Sequence, residues 1–269
     1  MPDIISNTSG KSFIMGSRTT AYSADSTEAQ NNATIIYNML NQLGWSKLAV
    51  AALFGNIQNE SAFNPNRYET GGGGFGLVQW TPKSNCTDIM KVVYPEGYTD
   101  SDGVQQVNVL IAEYEQTNYA QGNADGVNRG VNRQWYNSNG SKYGFSLTAL
   151  DWYDWAHNET ESLENMVKLF MVSYERPAYS ASVNHWQRRV ESAKTWLAWI
   201  GGVDPGGDGR FFPSTSSGGT NTEEDTTVSN KEIIKAVQAI LKACGYYTGE
   251  IDGIMGAKTR AGLKKVGLV

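Results

Sequence analysis

Cysteine and histidine are nearly absent from these 269 residues. There are two of each: Cys86 and Cys244, His157 and His185. Two cysteines so far apart argue against a disulfide framework and a thiolate zinc site, and two isolated histidines against a histidine-rich metal cluster. No cofactor and no metal ion are expected. A basic excess is also missing: the formal net charge is −5, which argues against nucleic acid as a partner for the whole chain. No apolar run approaches the roughly 18 residues that a membrane span needs, so no membrane insertion is expected. The first twenty residues, MPDIISNTSGKSFIMGSRTT, lack the basic-then-apolar pattern of an export signal. The expectation is synthesis in a cytoplasm without a signal peptide, with any action beyond the membrane depending on release by other means. Nothing in the composition sets the oligomeric state.

What the chain has in quantity is aromatic: eight Trp and 14 Tyr. Such rings are common in cores, and they also stack on sugars. The length suits one good-sized domain and a small one. The break between them is legible in composition. From Gly201 the chain runs GGVDPGGDGRFFPSTSSGGTNTEEDTTVSN, rich in Gly, Ser, Thr and Pro, which reads as a flexible linker over residues 201–228. Charge agrees: the linker holds one arginine against five acids, whereas residues 229–269 hold seven basic residues against three acids. The resulting division is an N-terminal arm over 1–27, a main domain over 28–200, the linker, and a basic C-terminal module over 229–269.

The main domain reads as mostly helical. Asp25 with Glu28 forms a capping box for a helix carrying Ile35, Ile36, Met39 and Leu40 and stopping at Gly44. Ser46 caps a second helix, KLAVAALFGNIQNES. Asp102 starts a third, with Val104, Val107, Ile111 and Tyr114 on one stripe. Two more begin at Ser162 and Ser180. Residues 118–145 read as polar loop or short helix. Between the second and third helices lies one β-hairpin candidate, around GGGGFGLVQW. The fold class expected is α+β, mostly α, with this small hairpin and a small helical C-terminal domain.

The second helix ends in a glutamate, and GNIQNESAFNPNRYETGGGGFGLVQW continues from it into four glycines and Gln79-Trp80. At a helix C-terminus the macrodipole disfavours an ionised carboxylate. Phe54, Phe63 and Trp80 lie near in sequence and would desolvate it. Both effects would keep Glu60 protonated, as a glycosidase acid requires. Glycines 71–74 would admit a bulky ligand close to the backbone, Gln79 would hydrogen-bond a sugar and Trp80 would stack on one.

GNIQNESAFNPN followed by GFGLVQW resembles the phage tail lysozyme family, within the lysozyme and lytic-transglycosylase superfamily. The helix ATIIYNMLNQLGWSKLAVAALFGN upstream and FMVSYERPAYSASVNHWQRRVESAKTW downstream fit the same family. The resemblance covers roughly residues 28–200 and implies a lysozyme-like fold. It implies Glu60 as catalytic acid, Ser61, Gln79 and Trp80 at the substrate, and cleavage of the β-1,4 bond between N-acetylmuramic acid and N-acetylglucosamine. Glu69, at the turn before the glycines, is the first candidate for a second carboxylate; Glu175, beside Arg176 in YERP, is the runner-up and also fits a structural ion pair. Relatives that manage with one glutamate use the substrate's own acetamido or 6-hydroxyl group; the latter makes a lytic transglycosylase with anhydro-muramic products.

GYYTGEIDGIMGAKTRAGLKKV near the C-terminus resembles the small helical peptidoglycan-binding domains, covering about residues 229–269. Ile233, Ile234, Val237, Ile240 and Leu241 would form its apolar face, and Gly245 would stop its first helix. An Asp252-Gly253 turn would be structural, and Tyr246, Tyr247 and Arg260 would meet the wall. The partner implied is bacterial peptidoglycan, and the enzyme implied is an endolysin acting there after release. A tail-associated lysin, or a non-catalytic wall-binding or virion protein that keeps the fold, are the competing readings. A cysteine peptidase built on Cys86 lacks a nucleophile motif, and a zinc amidase built on His157 lacks grouped ligands.

Overall fold

The structure is a computed structural model and describes residues 4–123, 126–132, 134–177, 185–202, 230–251 and 257–266. The chain divides into two compact units, Met1–Phe212 and Pro213–Val269. Most of the expected linker lies outside the described residues.

In the first unit the helix starts are set by local capping chemistry. α1 is Thr27–Asn41. Its cap is Ser26, whose Oγ accepts from Ala29 N at 3.1 Å, and not Asp25, which instead accepts from the Ser23 hydroxyl. The two residues compete for one role, and the serine is one position nearer the first helical turn. α2 is Lys47–Glu60, capped by Ser46, whose Oγ accepts from Ala49 N at 3.0 Å. It is buried from Leu48 to Ile57 on every face, as a central helix must be. α3, Ser84–Val93, has no side-chain cap and turns Cys86, Ile89, Met90 and Val93 inward; without a start signal it escaped the sequence reading. α4, Gly103–Gln121, is capped by Asp102 and ends at Gly122 in the left-handed region.

Among its described residues, the stretch after α4 holds a 3-10 turn at Ser141–Tyr143. α5, Trp152–Ala156, and α6, Leu163–Phe170, follow, capped by Asp151 and Ser162. α6 runs straight into a π-helical turn, Met171–Glu175. α7 is Trp186–Trp199; its expected start at Ser180 lies outside the described residues.

α2 packs chiefly on α7, and glycine makes the approach possible. A β-carbon at Gly55 would sit 2.4 Å from the Arg189 carbonyl oxygen and 2.6 Å from Ala193 Cβ. Backbone cannot yield as a side-chain tip can, so only glycine lets these helices touch here.

The expected hairpin is not formed as paired strands among the described residues. The segment makes two isolated antiparallel bridges, Tyr68↔Phe75 and Phe75↔Trp80. Gly71, Gly76 and Gln79 take positive φ, which curls the chain too tightly for a ladder. Tryptophan mostly fills the core. Trp45, Trp80, Trp135, Trp152, Trp155 and Trp196 are all buried, and Trp135 stacks on Trp152 with centroids 5.3 Å apart.

In the second unit, α8 is Asn230–Ala243 and α9 is Ala257–Lys265. Leu241 is buried as expected, but Ile240 is exposed. Gly245 takes a positive φ just past the helix, and Tyr246 N donates to Leu241 O at 2.8 Å, a helix-ending turn that favours glycine. The side chain of Ile233, and Asp252 and Gly253 altogether, lie outside what is described.

Candidate active site

Glu60 is the last residue of α2, and its carboxylate meets a guanidinium. Arg189 Nη2 donates to Glu60 Oε1, while Arg189 Nη1 donates to Glu175 Oε2 at 2.5 Å and to Asn56 Oδ1 at 2.8 Å. Two acids from two different elements therefore share one arginine. The side chains of Arg189 and Glu175 are 7% and 6% exposed, that of Glu60 22%. Glu60 is the member of the cluster that reaches the surface. The rings expected to shield it do something else: Phe54 packs edge-to-face on Phe63 at 5.1 Å and on Trp196 at 5.5 Å in the core.

Asn56 is held in turn. Its Nδ2 donates to Ala52 O at 2.9 Å and to Val167 O at 3.4 Å, so one face of α2 aims both the amide and, one turn later, the carboxylate at α7. The Glu175 runner-up reading is sharpened by this geometry. Glu175 is an ion-pair partner, but of Arg189 and not of its neighbour Arg176, which donates to Gln134 and Ser173 carbonyls and covers the Tyr136 ring at 4.7 Å. Burial raises the Glu175 carboxyl above its ordinary range; Arg189 opposes the rise and the negative charge of Glu60 adds to it.

A second buried acid lies behind the site. Glu113 of α4 accepts from Trp80 Nε1 at 3.3 Å and from the Tyr174 hydroxyl at 2.5 Å. It thus ties the end of the glycine loop to the residue before Glu175. Complete burial pushes its carboxyl from an ordinary 4.5 up to about 8, against the two hydrogen bonds. Trp80 is consequently a buried anchor, 5% exposed, and not the open sugar platform expected. Its ring is committed to the core and its only donor to Glu113.

The raised Glu113 value gives a signed stability prediction. Between its unfolded value near 4.5 and its folded value of about 8, the folded chain holds a proton that the unfolded chain has released. Stability is therefore full below that window and falls as pH rises through it, by on the order of 1.4 kcal/mol per pH unit for this group. Buried Glu175 acts in the same direction. Melting temperature should drop from pH 5 to pH 8, and Glu113→Gln should flatten that slope in thermal melts at a series of pH values.

Backbone strain gathers at the same place. Among the described residues, the non-glycine positions with positive φ are Ala62 and Phe63 just after Glu60, Gln79 in the loop, and Arg176 just after Glu175. Each costs about 1–3 kcal/mol and persists only where surroundings impose it. The surroundings here include Asn32 Nδ2, which donates to Phe63 O at 2.9 Å, and the N-terminal arm. Asn64 Nδ2 donates to Ser17 O and Thr20 O at 2.7 and 3.0 Å, and Tyr68 N donates to Arg18 O at 3.0 Å.

The remaining expected site residues divide. Ser61 is buried at the C-terminal cap of α2, with its hydroxyl donating to Ile57 O at 3.3 Å. Glu69 is exposed on the loop. Its Oε2 accepts from Gly74 N at 3.3 Å, and a β-carbon at Gly72 would lie 1.9 Å from that oxygen. Gln79 folds onto its own turn, Nε2 donating to Gly76 O at 2.8 Å, and its Oε1 would sit 2.7 Å from a β-carbon at Gly74. Gly72 and Gly74 thus leave room for the Glu69 carboxylate, and Gly74 also for Gln79. Cys86 is buried, which raises its thiol well above the ordinary value. The ring nitrogens of His157 face the carbonyls of Tyr153 at 2.9 Å and Leu43 at 3.3 Å.

In the second unit Tyr246 is 42% exposed, whereas Tyr247 is 6% exposed. The Tyr247 hydroxyl donates to Glu250 O at 2.6 Å and accepts from Gln238 Nε2 at 3.2 Å. Tyr247 is therefore structural, a correction to the wall-contact reading. The Arg260 side chain lies outside what is described.

Comparison with known proteins bears on both units. A family model described as phage tail lysozyme matches residues 31–200, and one described as a peptidoglycan binding domain matches residues 230–266. Morphogenesis protein 1 of Bacillus phage B103 is 28% identical over 152 residues, which are 55% of this chain and 34% of that protein. The chain spans about a third of the length of that curated relative.

Proposed function

The chain belongs to the phage tail lysozyme family, and on that premise we propose that it degrades bacterial peptidoglycan, with Glu60 as the acid that breaks a glycosidic bond. The observation that carries this reading is the position of Glu60. Of the two acids that grip Arg189 it is the one more open to solvent, and it stands at the end of α2.

The bond cleaved is the β-1,4 link between N-acetylmuramic acid and N-acetylglucosamine. Glu60 gives its proton to the bridging oxygen as the C1–O bond breaks, the bond's electron pair leaves with that oxygen, and Glu60 is left as a carboxylate facing Arg189. Glu69, on the same loop, is the candidate for stabilising the positive charge on the sugar or activating water. Gln79, which like Glu69 lies against Gly74, is the candidate for orienting the sugar. If the muramyl 6-hydroxyl attacks instead of water, the same acid makes a lytic transglycosylase.

The second unit, matched as a peptidoglycan-binding domain, would hold the enzyme on the wall through exposed Tyr246, with Arg260 as a further candidate. Its basic residues suit an anionic wall. The linker turns that attachment into a high local concentration, in the millimolar range for a short flexible tether. A protein made in the host cytoplasm and released at lysis would work in this way as an endolysin. The relative named for morphogenesis keeps a virion-associated role beside it.

Digestion of purified peptidoglycan followed by mass spectrometry tests the proposal. Reducing muramic ends support the hydrolase, and anhydro-muramic ends the transglycosylase. Freed peptides with intact glycan, or no digestion at all, would overturn it.

A further inference from the structure

Counting charge in the Arg189 cluster leads further than the proposed role of Glu60, although it rests on that role. Two carboxylates face a single guanidinium. Asn56, the other group on it, is neutral, and Arg176 is turned away toward Gln134 and Tyr136. Asn59 of α2 is occupied with the Asn59–Ser192 hydrogen bond at 3.2 Å, and Lys168 of α6 is paired with Glu164. Among the described residues no second cation contacts either acid. With both acids ionised the cluster carries one uncompensated negative charge, and Glu175 Oε1 has no hydrogen-bond partner among the described residues. Removing charges from water is costly unless they balance.

We propose that Glu60 and Glu175 hold one proton between them across Arg189, and that Glu175 is the positioning residue whose negative charge lets Glu60 carry that proton when substrate arrives. Two arrangements of the proton leave the cluster neutral. In one, Glu175 is protonated and Glu60 pairs with Arg189; in the other, Glu60 is protonated and Glu175 pairs with Arg189. The second is the form ready to cleave. After Glu60 has given its proton to the leaving oxygen, Arg189 faces both carboxylates, and the cluster regains neutrality by taking one proton from water through the open side of Glu60. Glu175 is too deeply buried to touch a sugar, so its effect on the reaction passes through Arg189 and Glu60. Such coupled groups titrate as a pair. Burial and the nearby charge of Glu60 both raise the Glu175 carboxyl, as sharing requires.

Glu175→Gln tests this in the full-length protein. Without Glu175, a proton in the cluster would leave Arg189 buried with no counter-ion. The alkaline limb of the kcat/KM profile on peptidoglycan is expected to move down by about one pH unit, with kcat at pH 8 falling about tenfold and KM little changed. An unmoved limb in a folded Glu175→Gln would overturn the proposal. Carbon-13 carboxyl spectra of glutamate-labelled protein give a second, independent reading. The Glu175 resonance should titrate about one unit lower in Glu60→Gln than in the unmodified chain, because the charge that raised it is gone. An unchanged Glu175 titration overturns sharing even if Glu60 proves essential. A shifted titration supports sharing even if Glu60→Gln still clears walls, in which case the acid assignment fails alone.

Discussion

Glu60→Gln is expected to lower kcat/KM on peptidoglycan by about 10²–10⁴-fold, a loss of roughly 2.7–5.4 kcal/mol of transition-state stabilisation. Glutamine keeps the shape and keeps an oxygen for the Arg189 Nη2 donor that now reaches Glu60 Oε1. What it lacks is a proton that can leave. If Glu60 is the acid, the leaving oxygen departs unprotonated and the barrier rises by the whole contribution of acid catalysis. KM should change little, because glutamine keeps the size of the side chain and an oxygen facing Arg189. Turbidity clearing and release of soluble fragments both read the loss, and full retention of either would remove Glu60 from its role.

The same variant should not lose stability. In the unmodified chain Arg189 is shared by two acids; in Glu60→Gln it serves Glu175 alone, one charge to one. The pair balances by itself, whereas the triad stays neutral only by holding a proton. The variant is therefore expected to melt at the same temperature as the unmodified chain or slightly above it, a dead enzyme in a sound fold. Such a trade of stability for activity is common where acids are clustered to work.

Much of the fold was legible because its signals are local. Ser46, Asp102 and Ser162 each cap the helix that follows by a bond spanning three residues, and a short window of sequence contains both partners. The place of Glu60 at the end of α2 was legible for the same reason, since the helix and its cap are consecutive. Arg189 was not. Its bond to Glu60 spans 129 residues, and it stands beside Arg188, which is exposed, so the pair reads as an ordinary charged surface. A usable signal was present: Arg189, Ala193, Trp196 and Leu197 recur at helical spacing and are all buried, so a cation interrupts an apolar stripe. Glu113 carried no comparable mark. α4 is buried around most of its girth, with Gln106, Asn108, Gln116 and Asn118 as inward as its valines. Polarity there no longer distinguishes inside from outside. Trp80 misled because an aromatic after a glycine loop suits a sugar platform and a core anchor equally well, and only its bond to Glu113 separates them.

Arg189→Met is expected to produce the largest loss of stability. Methionine matches the length of the arginine stem but removes every donor the site relies on, leaving Glu60 Oε1, Glu175 Oε2 and Asn56 Oδ1 facing one another. Deleting one side of a buried pair costs about 3–5 kcal/mol when the stranded partner keeps its charge. Glu175 has a way to avoid that charge, because a buried carboxylate without a counter-ion takes up a proton. The cost is therefore pH-dependent. Near pH 5 Glu175 is neutral, and the loss comes mainly from packing and unmet hydrogen bonds. Above about pH 8, where the unmodified cluster releases its proton because Arg189 remains as counter-ion, the folded variant still holds one on Glu175, so the loss grows toward the upper end of the range. Denaturant melts at pH 5 and pH 10 should show the gap between variant and unmodified chain widening with pH. Adding Glu175→Leu to Arg189→Met should close most of that widening, since the stranded acid is then gone. An equal loss at both pH values, or no recovery in the double variant, would mean that the cluster is held by packing and that Arg189 is not its electrostatic centre.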